Sequence, residues 1–317
     1  MKILYSLLFA VLISTTLKAQ DDLSTLFKDD KKSNDPISAT FKTSRLNMGH
    51  SVEVVGKHQL DVRISHVFGT IHNSAVNTSS NDIHQFYGLE SISNVRIAFE
   101  YGVTDRLTAG LGRSKGFGAD KELYDGFLKY KLLRQKIDNS IPVTVTLVGT
   151  TQISGMAAST DPTSETSFNN FSQRLSYSSQ VLIARKFSEK LSLQLMPTYI
   201  HRNYTVAANA TTGLPADEND LFAIGVGGRF KFSKRSAIII DWFMPFSKFS
   251  TEEHKKDLYY NPLGIGYEIE TGGHVFHLSF VNTGGFSEQD FICNSPFSWS
   301  KWSFCLGFNI SRWFTVY

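Results

Sequence analysis

SKWSFCLGFNISRWFTVY, residues 300–317, is the stretch whose reading decides the fold. In it Trp302, Phe304, Leu306, Phe308 and Ile310 alternate with Ser303, Cys305, Gly307, Asn309 and Ser311, and Trp313, Phe314 and Tyr317 follow. A strict two-residue period places successive side chains on opposite faces of a strand. One face here is large and apolar, the other small and polar. The segment therefore belongs between an apolar phase and a polar interior.

Working back from it, the same pattern recurs about twelve times, each an alternating segment of about ten residues closed by a turn or loop. Leu60, Val62, Ile64 and Phe68 oppose Asp61, Arg63 and Ser65; Val95, Ile97, Phe99 and Tyr101 oppose Arg96, Ala98 and Glu100. Further segments centre on 107–111, 124–132, 143–151, 175–184, 191–199, 222–232, 238–244, 263–269 and 276–280. Tight turns at 103–105, 188–190, 233–235 and 271–273 alternate with long polar stretches near 69–92, 152–171, 203–218, 247–259 and 282–299. A soluble sandwich has no reason to gather its long loops at one end. A transmembrane barrel does, with short periplasmic turns and long extracellular loops. The expectation is an all-β, antiparallel, up-and-down transmembrane barrel of about 12 strands, the last pairing with 60–68 to remove free edges.

Residues 1–19 read as a secretory signal peptide, with Lys2 before an apolar core and Leu17-Lys18-Ala19 as the cleavage site. This implies export, and the barrel pattern then places the exported chain in the cell outer membrane. Residues 20–58 form a polar N-terminal arm, periplasmic or a partial plug, and 59–317 the barrel. The formal charge of +3 includes Lys2 and Lys18 of the leader, and no basic block stands out, which argues against nucleic acid. Cys293 and Cys305 are the only cysteines. They are either a short-loop disulfide or two small residues, Cys305 lying on the polar face of its strand.

Several stretches resemble an uncharacterised family of outer-membrane β-barrel proteins of Bacteroidota-type bacteria, a domain of unknown function. They are VRISH at 62–66, NVRIAFEYGVTDRLTAGLGRS at 94–114 and YDGFLKYKLLRQ at 124–135, then ARKFSEKLSLQLMPTYIHRN at 184–203, ETGGHVFHLSF at 270–280 and GFNISRWF at 307–314. The resemblance implies a barrel and a location. It brings no activity and no catalytic residues.

Strand direction puts Asp61, Arg63, Glu100, Lys129, Arg229, Lys231, Glu268 and Glu270 on the polar face near the periplasmic end. Two readings stay open: they brace a closed lumen by pairing across strands, or they form a constriction that selects small polar solutes. Lumen-facing glycines such as Gly110, Gly227 and Gly266 leave room for an opening, or let strands curve. A porin-like passage or structural barrel is the first reading. The alternative is an envelope interaction protein presenting loops around Asn77, Ser164, Ala210 and Glu253. Last comes a membrane-embedded hydrolase, for which His277, Ser279 and Glu268 share one face but lack a nucleophile motif. No metal spacing or cofactor motif emerges, the nearest hint being His72 and His84 in one loop. Expected partners are outer-membrane lipid, the barrel-assembly machinery reading Phe308, Ile310, Trp313, Phe314 and Tyr317, and a small polar solute or envelope protein.

Overall fold

The computed structural model describes residues 33–72, 79–115, 121–162, 164–205, 218–246 and 259–316. Twelve strands form one ring. β1 (Gln59–Thr70), β2 (Ile92–Gly102), β3 (Leu107–Lys115) and β4 (Glu122–Leu133) are followed by β5 (Thr144–Ser154), β6 (Leu175–Lys186), β7 (Leu191–Arg202) and β8 (Asp220–Lys231). β9 (Ser236–Phe246), β10 (Leu263–Glu270), β11 (His274–Val281) and β12 (Cys305–Thr315) complete it. Each strand pairs antiparallel with its sequence neighbours, and β12 closes on β1 in the register Ile64 to Ile310 and Arg63 to Ser311. Closure leaves no row of unpaired amides facing hydrocarbon, which is what a spanning sheet requires. Strands run from 8 residues in β10 to 12 in β1, the length that crosses a bilayer when tilted.

Alternation sorts the side chains as expected. Ile97, Phe99, Leu111, Leu128, Phe222 and Leu278 face outward and are exposed, whereas Asp61, Arg63, Glu100 and Lys129 face inward and are buried. One end of the barrel carries the connections 103–106, 134–143, 187–190, 232–235 and 271–273, and the other 71–91, 116–121, 155–174, 203–219, 247–262 and 282–304. The β4–β5 and β3–β4 connections break the short–long alternation. The first carries a backbone bridge from Lys136 to Pro36 of the arm. The ends are called the turn end and the loop end below.

Two features differ from the sequence reading, the start of β12 and the place of the connection after β11, and the two cysteines take one of the two alternatives left open. β12 begins at Cys305, because Trp302 takes a left-handed φ of 58° and residues 299–301 form a turn of 3-10 helix. Cys293 and Cys305 are buried and not bridged. The connection after β11 does not stand outside the barrel: Thr283, Glu288, Phe291, Ile292 and Ser295 are buried within it. The leader at 1–19, Asn77, Ala210, Glu253 and Tyr317 lie outside the described residues.

Candidate functional site: a lumen filled from both ends

The polar face of twelve alternating strands encloses a space that side chains alone do not fill. The N-terminal arm fills it. From Pro36, bridged to Lys136 at the turn end, the chain passes into the lumen, reverses at Asn47-Met48-Gly49 and returns to β1. The reversal is a short hairpin, with Arg45 bridged to His50, the Leu46 amide donating to Gly49 O and the Ser51 amide to Ser44 O. Ser44, His50, Ser51, Val52 and Val55 are completely buried. Two lumen glycines show what their missing side chains are for. A Cβ at Gly227 would stand 2.4 Å from Leu46 Cδ1, and one at Gly266 would stand 1.9 Å from Asn47 Oδ1. The space is taken by the arm.

The wall holds the arm through hydrogen bonds. Lys129 Nζ donates to the carbonyls of Ser44 (2.7 Å), Ser51 (3.2 Å) and Glu53 (3.1 Å). The Asp241 carboxylate accepts from the amides of Met48 (2.8 Å) and Gly49 (3.0 Å) and from Asn47 Nδ2 (3.0 Å). Gln194 accepts from the Val52 amide and donates to His50 O. Thr146 and Ser192 donate to Val52 O and Thr40 O, and Thr108 Oγ1 accepts from the Val55 amide. Lys131 pairs with Glu53 at 2.8 Å, and that carboxylate also accepts from the amides of Thr40 and Phe41.

The lumen has two kinds of wall. β1 to β4 bring in Asp61, Arg63, Arg96, Glu100, Asp125 and Lys129. β6 to β9 bring in Leu182, Met196, Ile200, Leu221, Ile239 and Phe243, which join Phe41, Leu46, Met48 and Val52 of the arm in one apolar cluster. The arm is amphipathic to match. From the loop end, residues 283–295 close over it, with Phe291 edge-on to Phe243 at 5.1 Å. Ser287 donates to Gln152, Gln289 to Thr150, and Asn94 to Gly284 O.

The eight charges singled out in the sequence fall into two groups. Arg63 reaches Asp61 (3.5 Å) and donates to Ser44 Oγ (3.2 Å), Ser311 donates to Asp61 (2.6 Å), and Glu100 stands opposite Asp61 in register. With Lys129 these form the first group. In the second, Arg229 spans Glu268 (2.6 Å) and Glu270 (2.8 Å), and Glu270 also meets Lys231 (3.8 Å) and Lys42 of the arm (3.1 Å). Phe308 and Ile310 face outward on β12. Trp313 has the inward parity and lines a cavity of about 480 Å³ at the turn end, together with Lys42, Glu53, Lys131, Arg134 and His274.

Three pairings lie beyond the sequence reading. Arg96 makes a two-pronged contact with Asp125, Nε to Oδ1 at 2.9 Å and Nη2 to Oδ2 at 2.5 Å. Its signal was inward parity, but it lies further from the turn end than the residues selected. Asp241 had the same signal. Arg45, His50 and Glu288 meet where arm and loop touch, and no strand period marks them. Arg45 donates to Met48 O (3.1 Å) and Phe286 O (2.8 Å) and points Nη2 at His50 Nε2 (2.9 Å). Burial, then Arg45 and Lys129, hold the His50 imidazole well below its ordinary pKa, and Nε2 is the acceptor because the Arg45 guanidinium facing it can only donate. Glu288, 3.9 Å from His50, has its carboxyl pushed up by burial against the opposing pull of Arg45.

The hydrolase arrangement does not assemble: His277 Nε2 is on Glu268 at 3.2 Å, and Nδ1 is buried without a bond to Ser279. His72 pairs with Asp82 at 2.6 Å. Among the described residues no cluster of His, Cys, Asp and Glu has metal-holding geometry.

These features define a closed antiparallel barrel with an apolar outer surface and a lumen stoppered by its own chain. The family model "Membrane bound beta barrel domain (DUF5777)" matches residues 41–314, and the chain belongs to that family of membrane-bound barrels of unknown function. The match begins at Phe41, within the arm, and includes the hairpin that enters the lumen. No curated protein matches the sequence. Among solved structures, the NanC porin is 8% identical with a TM-score of 0.48, covering 80% of this chain and 98% of its own. The KdgM porin with disordered oligogalacturonate is 6% identical (TM-score 0.45, 80% and 98% covered). The COG4313 outer membrane channel from Pseudomonas putida F1 is 14% identical (TM-score 0.45, 83% and 98% covered). These likenesses concern the barrel form and carry nothing about a solute.

Proposed function

We propose that the protein is an outer-membrane barrel forming a gated passage for small polar solutes, shut in this conformation by residues 36–56 and by the inward loop 283–295. The observation that carries this reading is the kind of contact holding the arm. It is bound by reversible hydrogen bonds to Thr108, Lys129, Thr146, Ser192, Gln194 and Asp241, and withdrawing it would uncover these polar groups to water beside the apolar sector of β6 to β9. In this reading Asp61, Arg63, Glu100 and Lys129 brace the arm, and Arg229, Lys231, Glu268 and Glu270 fix the rim beside it. Selection of the solute would pass to these charges only after the arm leaves. This reading gives the barrel the part of a conduit, in which His277 is taken up by Glu268 in the lumen wall. Residues 1–19 direct export, and the closing strand with Phe308, Ile310, Trp313, Phe314 and Tyr317 is presented to the assembly machinery and to lipid. The turn end then faces the periplasm.

Planar-bilayer recording of the refolded full chain tests the passage. The native protein is expected to be mostly silent. Gly49→Val, whose Cβ meets Phe243 Cζ at 2.7 Å, and Glu53→Gln, which weakens the Lys131 pair, are expected to conduct in discrete steps. If both variants keep the heat-modifiable folded band and still pass no current, even with residues 285–294 replaced by a short linker, the gated passage is wrong.

A further inference from the structure

The wall of the lumen reads main chain. Lys129 takes three carbonyls, Asp241 two amides, Thr108 one amide, and Thr146 and Ser192 one carbonyl each. Gln194 does both at once, its amide group donating to His50 O and its carbonyl accepting from Val52 N, groups of alternate residues on one edge of the chain. Side chains of the arm are addressed less often by the wall, chiefly Ser44 by Arg63, Glu53 by Lys131, Asn47 by Asp241 and Lys42 by Glu270. Opposite the charged sector, Met196, Ile239 and Phe243 give apolar side chains a surface beside those polar contacts. Main-chain amides and carbonyls are common to all peptides, so such a wall does not depend on the arm's particular sequence. It asks for a chain with N–H and C=O groups at peptide spacing and apolar residues on one side.

We infer that the lumen is a peptide-binding site that the protein fills with its own arm, and that the solute class displacing the arm is a short oligopeptide with apolar side chains. The inference deepens the gated-passage reading and rests on it for the route by which a peptide enters. The arm is then an internal competitor. It holds the site until a peptide at sufficient concentration exchanges with it, each carbonyl and amide it gives up being replaced by the same group of the incoming chain.

The test uses the full chain carrying Gly49→Val, which loosens the hairpin and replaces no wall residue, with Glu53→Gln as a second background should the first not fold. A fluorescent synthetic peptide with the sequence of residues 40–55 is titrated into the refolded protein in detergent and followed by anisotropy. Saturable binding is expected. It should weaken about tenfold or more when the peptide is N-methylated at the positions of Met48, Gly49, Val52 and Val55, because each methyl removes a donor that Asp241, Gln194 or Thr108 accepts. Adding Gln194→Leu should weaken it by a similar factor. Equal binding of the methylated peptide overturns the inference, as does equal competition by a malto-oligosaccharide or no binding by either folded background. Conductance of the same samples separates the two readings: binding without current keeps the peptide site and removes the passage, and current without binding does the reverse.

Discussion

Lys129→Met is the perturbation that most directly measures how the arm is held. Methionine keeps the length and most of the volume of the lysine stem while removing its ammonium. Three buried carbonyls, Ser44, Ser51 and Glu53, then lose their common donor. At about 1 kcal/mol for each acceptor left unsatisfied, the docked arm loses about 3 kcal/mol. That corresponds to about 100-fold in the docking equilibrium. The barrel ladder is untouched, because Lys129 pairs with Thr108 and Val148 through backbone that the substitution leaves intact. Hydrogen exchange followed by mass spectrometry reads the two effects separately. Amides at Met48, Gly49, Val52 and Val55, bonded to Asp241, Gln194 and Thr108, are expected to exchange about 100-fold faster. Amides of β5 and β7 are expected to keep their native rates. Unchanged exchange in the arm would refute the assignment of Lys129 as its anchor, and equal acceleration in the strands would refute the arm as a separately opening unit.

Phe308→Arg places a charge on the lipid face of β12 and is expected to cost about 2–4 kcal/mol, seen as loss of the heat-modifiable folded band. For the buried pair, Arg96→Met or Asp125→Leu alone should cost about 3–5 kcal/mol in urea unfolding from lipid vesicles, and the double variant less than either. Additive losses would mean the two side chains do not depend on each other. Acid should loosen the arm. His50 stays neutral when docked but takes a proton when released, so docking is at full strength above about pH 6.5 and weakens as pH falls, by up to about 1.4 kcal/mol per unit. Arg45, Lys129, Arg96 and Arg63 add positive charge around it, while Glu288, with its raised carboxyl, contributes the opposite slope. His50→Gln should remove the imidazole's share of the slope, read by exchange of residues 46–55 at pH 7 and pH 5; an unchanged slope would assign it elsewhere.

The barrel was legible because its physics is local. A period of two in Leu60 to Phe68 or Val95 to Tyr101 is written residue by residue, and the closing register of β12 on β1 follows once the ends are sorted. The contents of the lumen were not legible in the same way. Thr40 to Val55 shows only a brief alternation at Val52 and Val54, since the arm reverses at residues 47–49 and Phe41, Leu46, Met48 and Val52 reach the apolar wall without a regular two-residue spacing. Residues 283–295 carry Ser287, Glu288, Gln289 and Asp290, a composition that reads as solvent-exposed, yet Glu288 is completely buried because the surrounding lumen is polar. Parity puts Asp61 and Lys129 on the inward face, and both are buried. What parity does not tell is whether a charge meets the opposite wall or a strand of chain in between, and Lys129 meets the chain.

The order of the chain bears on how the molecule is made. The arm is the first part of the described chain to be synthesised, and it is tied to β1 through residues 57 and 58. Its contacts are supplied by Thr108, Lys129, Thr146, Ser192, Gln194 and Asp241, which arrive on β3, β4, β5, β7 and β9. The cradle is therefore incomplete until β3 and β9 and the strands between them stand in one sheet. Until then the earliest segment waits for its partners, and its seating becomes a late step of biogenesis that reports on how far the ring has been built.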